Sequence, residues 1–320
     1  MRAAVIDAYG GTDRFALREV AEPPAPETGE LLVRVRAAGV NPMDGKLRSG
    51  RFRLLVHERS PLVLGSDFAG EVEAVGPEVT DFEPGDRVFG SALRIGRGSY
   101  AERTLAKADQ VAPIPHRLSY AEAAALPGPG CTALQALRDI GELQSDERVL
   151  IHGASGGVGH LAVQIARILG ARPLGTASAA NFDFLRALGA ERAIDYREVD
   201  FALEDEQYAV VFDVAGNRSF PQCEAVLSDD GGVYVTTRPG LGAFFWWAAT
   251  GLRSRIGPNK RARWIIVRTR NTDLFDLASW ADRGVLSPSI EEVIPLAEVW
   301  RAHERIDDGH VRGKLVLEIG

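Results

Sequence analysis

The chain has 320 residues, 45% of them hydrophobic, and a formal net charge of −7. That is enough apolar material for two cores of ordinary size, and an acidic balance with no dominant block of like charge argues against a nucleic-acid binder. Two cysteines, Cys131 and Cys223, in apolar surroundings exclude a disulfide framework as a folding device.

Short strands broken by turns fill the first 120 residues, at 2–6, 32–38, 68–75, 87–89 and 100–105. Val33, Val35 and Ala37 face opposite to Arg34 and Arg36, and Val72 and Ala74 oppose Glu71 and Glu73, the period of half-buried antiparallel strands. Turns are expected at 84–86 and 96–98. From residue 121 strands alternate with helices, near 148–152, 173–176, 192–195, 208–214, 232–236 and 264–268, a pattern that predicts a parallel doubly wound sheet. The last fifty residues read as helix 272–283, strand 292–295, helix 296–306 and a closing strand 314–319. The fold class expected is α/β: a small β-rich domain beside a doubly wound one. Because the amino terminus enters a strand pattern at once, without a signal-peptide core or transit segment, a reducing, cytoplasmic setting is the expectation. Only four of the 37 basic residues are lysine, a bias attributed to genome composition.

The most informative stretch is Val149-Leu-Ile-His-Gly-Ala-Ser-Gly-Gly-Val-Gly159, an apolar strand running into glycines and then into a helix. Glycines on such a turn leave backbone N–H groups and the positive helix end open to a dinucleotide's diphosphate. Ala154-x-Gly156-x-x-Gly159 fits the fingerprint with alanine at its first glycine, and Val158, Leu161, Ala162, Ile165 and Leu169 recur at helical spacing until Gly170. The same letters, Gly153-x-Ser155-x-Gly157, satisfy a hydrolase nucleophile elbow. A nucleophilic serine needs a histidine following an acid, however, and His160, His303 and His310 stand in contexts that look like helix surface. A glycine-rich turn with no ligand is the bland alternative.

Taken in order, Ala38-Gly-Val-Asn-Pro-x-Asp44, Pro61-x-x-x-Gly-x-Asp67-x-x-Gly-x-Val72, Gly85-Asp-Arg-Val-Phe-Gly90, Gly98-Ser-Tyr-Ala-Glu102, Ala124-Ala-Leu-Pro127, the glycine turn, Leu188-Gly-Ala190, Asp213-Val-Ala-Gly216 and Arg312-Gly-Lys314 carry a family resemblance. Over nearly the whole chain the sequence resembles the zinc-independent medium-chain dehydrogenase/reductases, in their quinone-oxidoreductase or zeta-crystallin-like branch. The resemblance implies a GroES-like catalytic domain (1–121 and 270–320), a Rossmann NADP-binding domain (122–269) and a cleft between the lobes. Zinc-dependent relatives hold a catalytic metal with a cysteine and a histidine where this chain has Asn41 and Ser66, so no metal is expected. Without a Lewis acid to activate an alcohol, an already electrophilic quinone or conjugated enone is the fitting hydride acceptor.

Residue roles follow from that resemblance. Ser155, Gly156, Gly157 and Val158 would meet the diphosphate through their backbone. Leu174-Gly-Thr-Ala-Ser178 offers hydroxyls where a free ribose hydroxyl usually meets a carboxylate, and the first acid is Asp183, so NADPH is expected over NADH. Ser178 and Tyr196 would hold the 2′-phosphate; Asn181 stands where many relatives have lysine, and Arg197 or Arg192 would compensate. Asn41 and Asp44 would line the nicotinamide end, with Asn41 donating to the substrate oxygen; as an Asn-Pro turn former Asn41 also has a purely structural reading. Thr132 would touch the nicotinamide or merely cap a helix, and Thr236, Thr237 and Lys314 are further cofactor contacts. Tyr100 is the candidate proton donor, with solvent and plain core packing as alternatives. Phe244-Phe-Trp-Trp247 and the basic residues from Arg253 to Arg270 suggest either a wall of the substrate site or a peripheral contact with anionic membrane. Edge strand 264–268 suggests a homodimer. Loops at 46–60, 91–98 and 238–262 would shape the substrate site. Three readings follow: an NADPH-dependent quinone or enone reductase, an enoyl-thioester reductase, and a catalytically weak, crystallin-like NADPH-binding protein.

Overall fold

The computed structural model describes residues 1–55, 60–92, 97–238, 240–253 and 260–320. The expectations on Gly96, on Arg255 and on parts of the three loops lie outside the described residues. Two compact units are present, Met1–Cys131 with Thr269–Gly320, and Thr132–Arg268.

The first unit is built on strands β1 (Arg2–Ile6), β2 (Phe15–Glu19), β3 (Glu30–Val40), β4 (Leu62–Val63), β5 (Asp67–Val75), β6 (Arg87–Ser91), β7 (Arg103–Lys107) and β8 (Val111–Pro113). Helices α1 (Pro42–Arg48) and α2 (Tyr120–Ala124) belong to it, as does the start of α3 (Pro127–Leu134). Alternation sets the register of its main sheet: Val33 pairs with Val72 and Arg34 with Glu71 across antiparallel β3 and β5. Leu31, Val33 and Val35 are thereby buried, while Arg34 reaches Glu73 and Arg36 reaches Glu71 on the outer face. α2 packs on β3 and β5, which is why the unit runs beyond residue 121.

The second unit carries β9 (Arg148–His152), α4 (Gly159–Ile168), β10 (Arg172–Ala177), α5 (Phe182–Leu188), β11 (Arg192–Asp195), β12 (Val210–Asp213), α6 (Phe220–Cys223), β13 (Val233–Thr236), α7 (Leu241–Arg253) and β14 (Arg261–Trp264). All pairings are parallel in the order β11-β10-β9-β12-β13-β14, so strand order reverses between β9 and β12. In open α/β sheets such a switch point, at the carboxyl ends of the strands, is where ligands lie.

The chain then returns to the first unit through α8 (Asn271–Asp282), β15 (Ile290–Pro295), α9 (Val299–Asp308) and β16 (Lys314–Glu318). β16 pairs antiparallel with β3, Leu315 opposite Val40, which sets Lys314 beside the end of β3.

Two expected strands are shifted. The expected edge strand 264–268 lies instead at Arg261–Trp264, because Gln135 takes both backbone groups of Arg268, donating to its carbonyl at 2.7 Å and accepting from its N–H at 3.2 Å. β14 is nevertheless the edge strand of its sheet. Tyr100 lies before β7, its N–H on Leu64 and its carbonyl on Ala4, so it belongs to the core under β1 rather than to the β3 ladder. No helix of the described residues is long and apolar enough to cross a membrane.

Candidate functional site

β9 ends at the switch point and the turn 153–158 carries the chain into α4. Gly159 begins that helix against the turn's own backbone: a Cβ there would stand 2.2 Å from the Gly153 carbonyl oxygen, which only glycine avoids. Gly156 differs, since a Cβ on it would meet nothing nearer than 3.6 Å and would fill open space instead. Among the described residues nothing accepts from the N–H groups of Ser155, Gly157 or Val158, and all three are half-buried. Free amides, an open glycine and the positive end of α4 together form a cradle for an anion such as a diphosphate.

Behind the cradle a chain of hydrogen bonds that the sequence did not flag runs from the buried Thr176 and His152 out to the exposed Asn217. Gly153 N–H donates to Thr176 Oγ1 at 3.1 Å; Thr176 Oγ1 and His152 Nδ1 are 2.7 Å apart; His152 Nε2 and Asn217 Oδ1 are also 2.7 Å apart. Burial lowers the His152 pKa, so the imidazole is neutral, with Nε2–H donating to Asn217 and Nδ1 accepting from Thr176. The turns after β9 and β12 are thereby tied together. Asp213 fixes the second turn, accepting from the N–H groups of Gly216 and Arg218 and from the Tyr234 hydroxyl.

At the end of β10, Ser178 Oγ accepts from Asn181 Nδ2 at 3.1 Å, and Arg197 lies 5.6 Å over the exposed Tyr196 ring. Arg192 pairs with Glu204 and lies opposite Leu174, at the other end of the β10–β11 ladder from Ser178. The structure also brings up an acid that spacing hid: Asp195, at the end of β11, accepts from Ala179 N–H at 3.0 Å and from Arg197 N–H at 2.9 Å. Thr236 Oγ1 accepts from Arg238 N–H and Thr237 Oγ1 donates to Val214 C=O, so both hydroxyls brace strand ends. Thr132 lies inside α3, which starts at Pro127, and so is no cap.

The first unit holds the second cluster. Pro42 opens α1 behind Asn41, and the Asp44 carboxylate turns back to accept the Asn41 N–H at 2.9 Å. The same oxygen, Oδ2, accepts the Tyr100 hydroxyl at 2.9 Å. Asn41 Oδ1 accepts from Lys314 Nζ at 2.6 Å and Asn41 Nδ2 donates to Asp67 Oδ2 at 2.9 Å, while Lys314 also donates to Val40 C=O. Burial raises the Asp44 pKa to about 7 against these hydrogen bonds, raises that of Asp67 against the Lys314 charge, and lowers that of Lys314. Tyr100, the candidate proton donor, is fully buried, donates its hydroxyl proton to Asp44 and has its pKa driven up by burial, an arrangement that holds Asp44 in place. Asp67 was legible only as a motif letter, an acid heading an apolar strand.

The hydrolase alternative finds no support. No histidine of the described residues is bonded to Ser155, and His303 is buried between Phe15 and Tyr100 with both ring nitrogens unpartnered and its pKa lowered by burial to about 3. No group of three metal-ligating side chains occurs among the described residues.

Comparison with known proteins agrees with both units. The alcohol dehydrogenase GroES-like domain model matches residues 27–116, and the zinc-binding dehydrogenase model matches 188–317. The chloroplast envelope quinone oxidoreductase homolog of Arabidopsis thaliana is 31% identical over 99% of this chain and 98% of its own. The quinone oxidoreductase structure from Coxiella burnetii is 34% identical with a TM-score of 0.89, covering 100% and 99% of the two chains. That of Escherichia coli, complexed with NADPH, is 27% identical with a TM-score of 0.81, covering all of both. With a GroES-like unit, a doubly wound unit and these relatives along its whole length, the chain belongs to the zinc-independent quinone-oxidoreductase branch of the medium-chain dehydrogenase/reductases, and is an oxidoreductase that takes a nicotinamide cofactor.

Proposed function

We propose that this chain reduces a quinone or a conjugated enone with NADPH and without a catalytic metal. The observation that carries the reading is the clamped amide of Asn41. Lys314 holds its oxygen and Asp67 takes one of its two Nδ2 hydrogens, which leaves one N–H on a half-buried, pre-oriented donor. Such a donor stabilises negative charge that develops on an acceptor oxygen. The buried ammonium strengthens it, since a cation on the amide oxygen draws electron density from the amide nitrogen. The same ammonium occupies the Asn41 oxygen, the one atom that residue could offer to a metal.

In the second unit the amides of Ser155, Gly157 and Val158 receive the diphosphate, and bound NADPH supplies the hydride. Ser178, Tyr196 and Arg197 favour the 2′-phosphate; Asp195 opposes it, with Arg197 offsetting that single charge and the two hydroxyls adding donors. With the Tyr100 proton committed to Asp44, solvent protonates the product. The test follows loss of reduced-nicotinamide absorbance with a quinone, an enone and a crotonyl thioester, before and after dialysis against a chelator. Turnover of the first two, untouched by the chelator and lowered about 100-fold in kcat/KM by Asn41→Ala, is expected. Preference for the thioester, loss of activity with chelator, or tight NADPH binding without any turnover would overturn it.

A further inference from the structure

From Gly231 to Thr272 the chain, acidic overall, contains no acidic residue, yet it holds eight basic ones. Within that stretch α7 is uncharged from Leu241 to Gly251 and turns large apolar side chains outward. Leu241 is 92% exposed, Phe244 57%, Phe245 61% and Trp247 42%. Only the opposite face is anchored: Trp246 packs on Phe220, and Thr250 Oγ1 accepts from the Ala262 N–H of β14. Phe244, Trp247 and Trp264 cluster with ring centroids 5.4–6.1 Å apart, and Ile266 and Val267, just beyond β14, are exposed as well. Contiguous apolar surface of this kind marks an interaction site.

The cations decide what fits it. Lys260 and Arg261 are paired with Asp229 and Glu142, carboxylates from elsewhere in the chain, whereas Arg268 is exposed, beside Ile266 and Val267, with no carboxylate partner among the described residues. Phenylalanine and tryptophan at an apolar surface flanked by arginine suit the boundary between acyl chains and anionic headgroups, where the ring enters and the cation stays with the phosphates. A second copy of the chain seated symmetrically on the patch would bring the same acid-free surface, with no anion for Arg268. The net charge of the molecule does not forbid the contact, because charges beyond about 8–10 Å are screened at physiological salt. We propose that the outer face of α7, with Ile266, Val267 and Arg268, docks on the surface of an anionic lipid bilayer. This inference is independent of the proposed reaction, since none of these residues belongs to either cluster described above.

The test uses the full chain and sedimentation with vesicles of phosphatidylcholine alone or mixed with phosphatidylglycerol, at low and high salt. Binding to the mixed vesicles only, weakened by salt, is expected. The variant Phe244→Ser with Phe245→Ser should lower the partition coefficient more than about ten-fold, and Arg268→Ala about five-fold, with NADPH affinity retained in both as the folding control. A blue shift of tryptophan emission on the mixed vesicles, reduced in Trp247→Phe, gives a second readout. Failure to sediment, equal binding to neutral vesicles, or undiminished binding by the variants would overturn the proposal. So would a dimer seen by light scattering that Phe244→Ser with Phe245→Ser dissociates, since the second copy would then be the occupant.

Discussion

Asp44 couples the first cluster to pH. Its folded pKa, about 7, lies above the ordinary 3.8, so between those values the native chain holds a proton that the unfolded chain has released. The Asp44 contribution to stability is thus full below about pH 4, falls as pH rises toward 7 and levels off above it, by a few kcal/mol in all. In Asp44→Asn, Oδ1 can still accept from the Asn41 N–H and the Tyr100 hydroxyl, while nothing titrates. The variant should flatten the dependence of Tm on pH and exceed the parent above pH 8; an unchanged slope would rule out Asp44 as its source. Asp67 is raised in the same sense and keeps part of the slope. A second residue-scale prediction concerns Asp195, whose charge lies at the Ala179 amide. Asp195→Asn keeps that bond through Oδ1, gives up the one from the Arg197 N–H, and removes a repulsion worth about 1 kcal/mol toward a 2′-phosphate. NADPH should then bind about five-fold tighter with NADH unchanged, as measured by fluorescence titration. Equal gains for both coenzymes would place the 2′-phosphate elsewhere.

Two turns, after β9 and after β12, meet through His152, and their stiffness belongs to the element rather than to one residue. Replacing His152 by phenylalanine cuts the tie to Asn217 and leaves the buried Thr176 Oγ1 without an acceptor for its proton, a desolvation cost of about 1–3 kcal/mol. We expect KM for NADPH to rise about ten-fold with kcat nearly constant, because the cradle loosens while Asn41 is untouched; a fall in kcat alone would contradict this. Much of the fold could be read from alternation: β3 and β5 show period two in their letters, and β9 with α4 announces the glycine turn. What escaped was tertiary. The strand expected at 264–268 has strand-like letters, yet the backbone of Arg268 is satisfied by the side chain of Gln135, 133 residues away in sequence. Asp195 lies seventeen positions after Ser178 and reaches the amide next to it only because β10 and β11 run parallel. Asn41, Asp44 and Lys314 were legible as motif letters, and Asn41 with Asp44 forms a local helix cap, but the Lys314 contact to Asn41 depends on β16 returning to β3, a pairing no local pattern encodes.

At the scale of the whole molecule, the two units have separate cores, one around Phe68, Val88 and Tyr100 and the other around Phe201, Val211 and Phe220. Chains built this way need not unfold in one step. The residues assigned to the diphosphate and 2′-phosphate all lie in the second unit, whereas Asp44, Asp67 and Lys314 lie in the first. Two perturbations should therefore act on different halves of the melting curve. NADPH at one hundred times its Kd stabilises whatever binds it by about 2.7 kcal/mol, and raising pH from 5 to 8 withdraws the Asp44 contribution from the first unit alone. Calorimetry should resolve two transitions, one raised by NADPH and the other lowered by alkali, with Asp44→Asn abolishing much of the second response and none of the first. A single transition moved by both would mean that the units unfold together, and that the pH sensitivity of Asp44 is shared by the nucleotide-binding half.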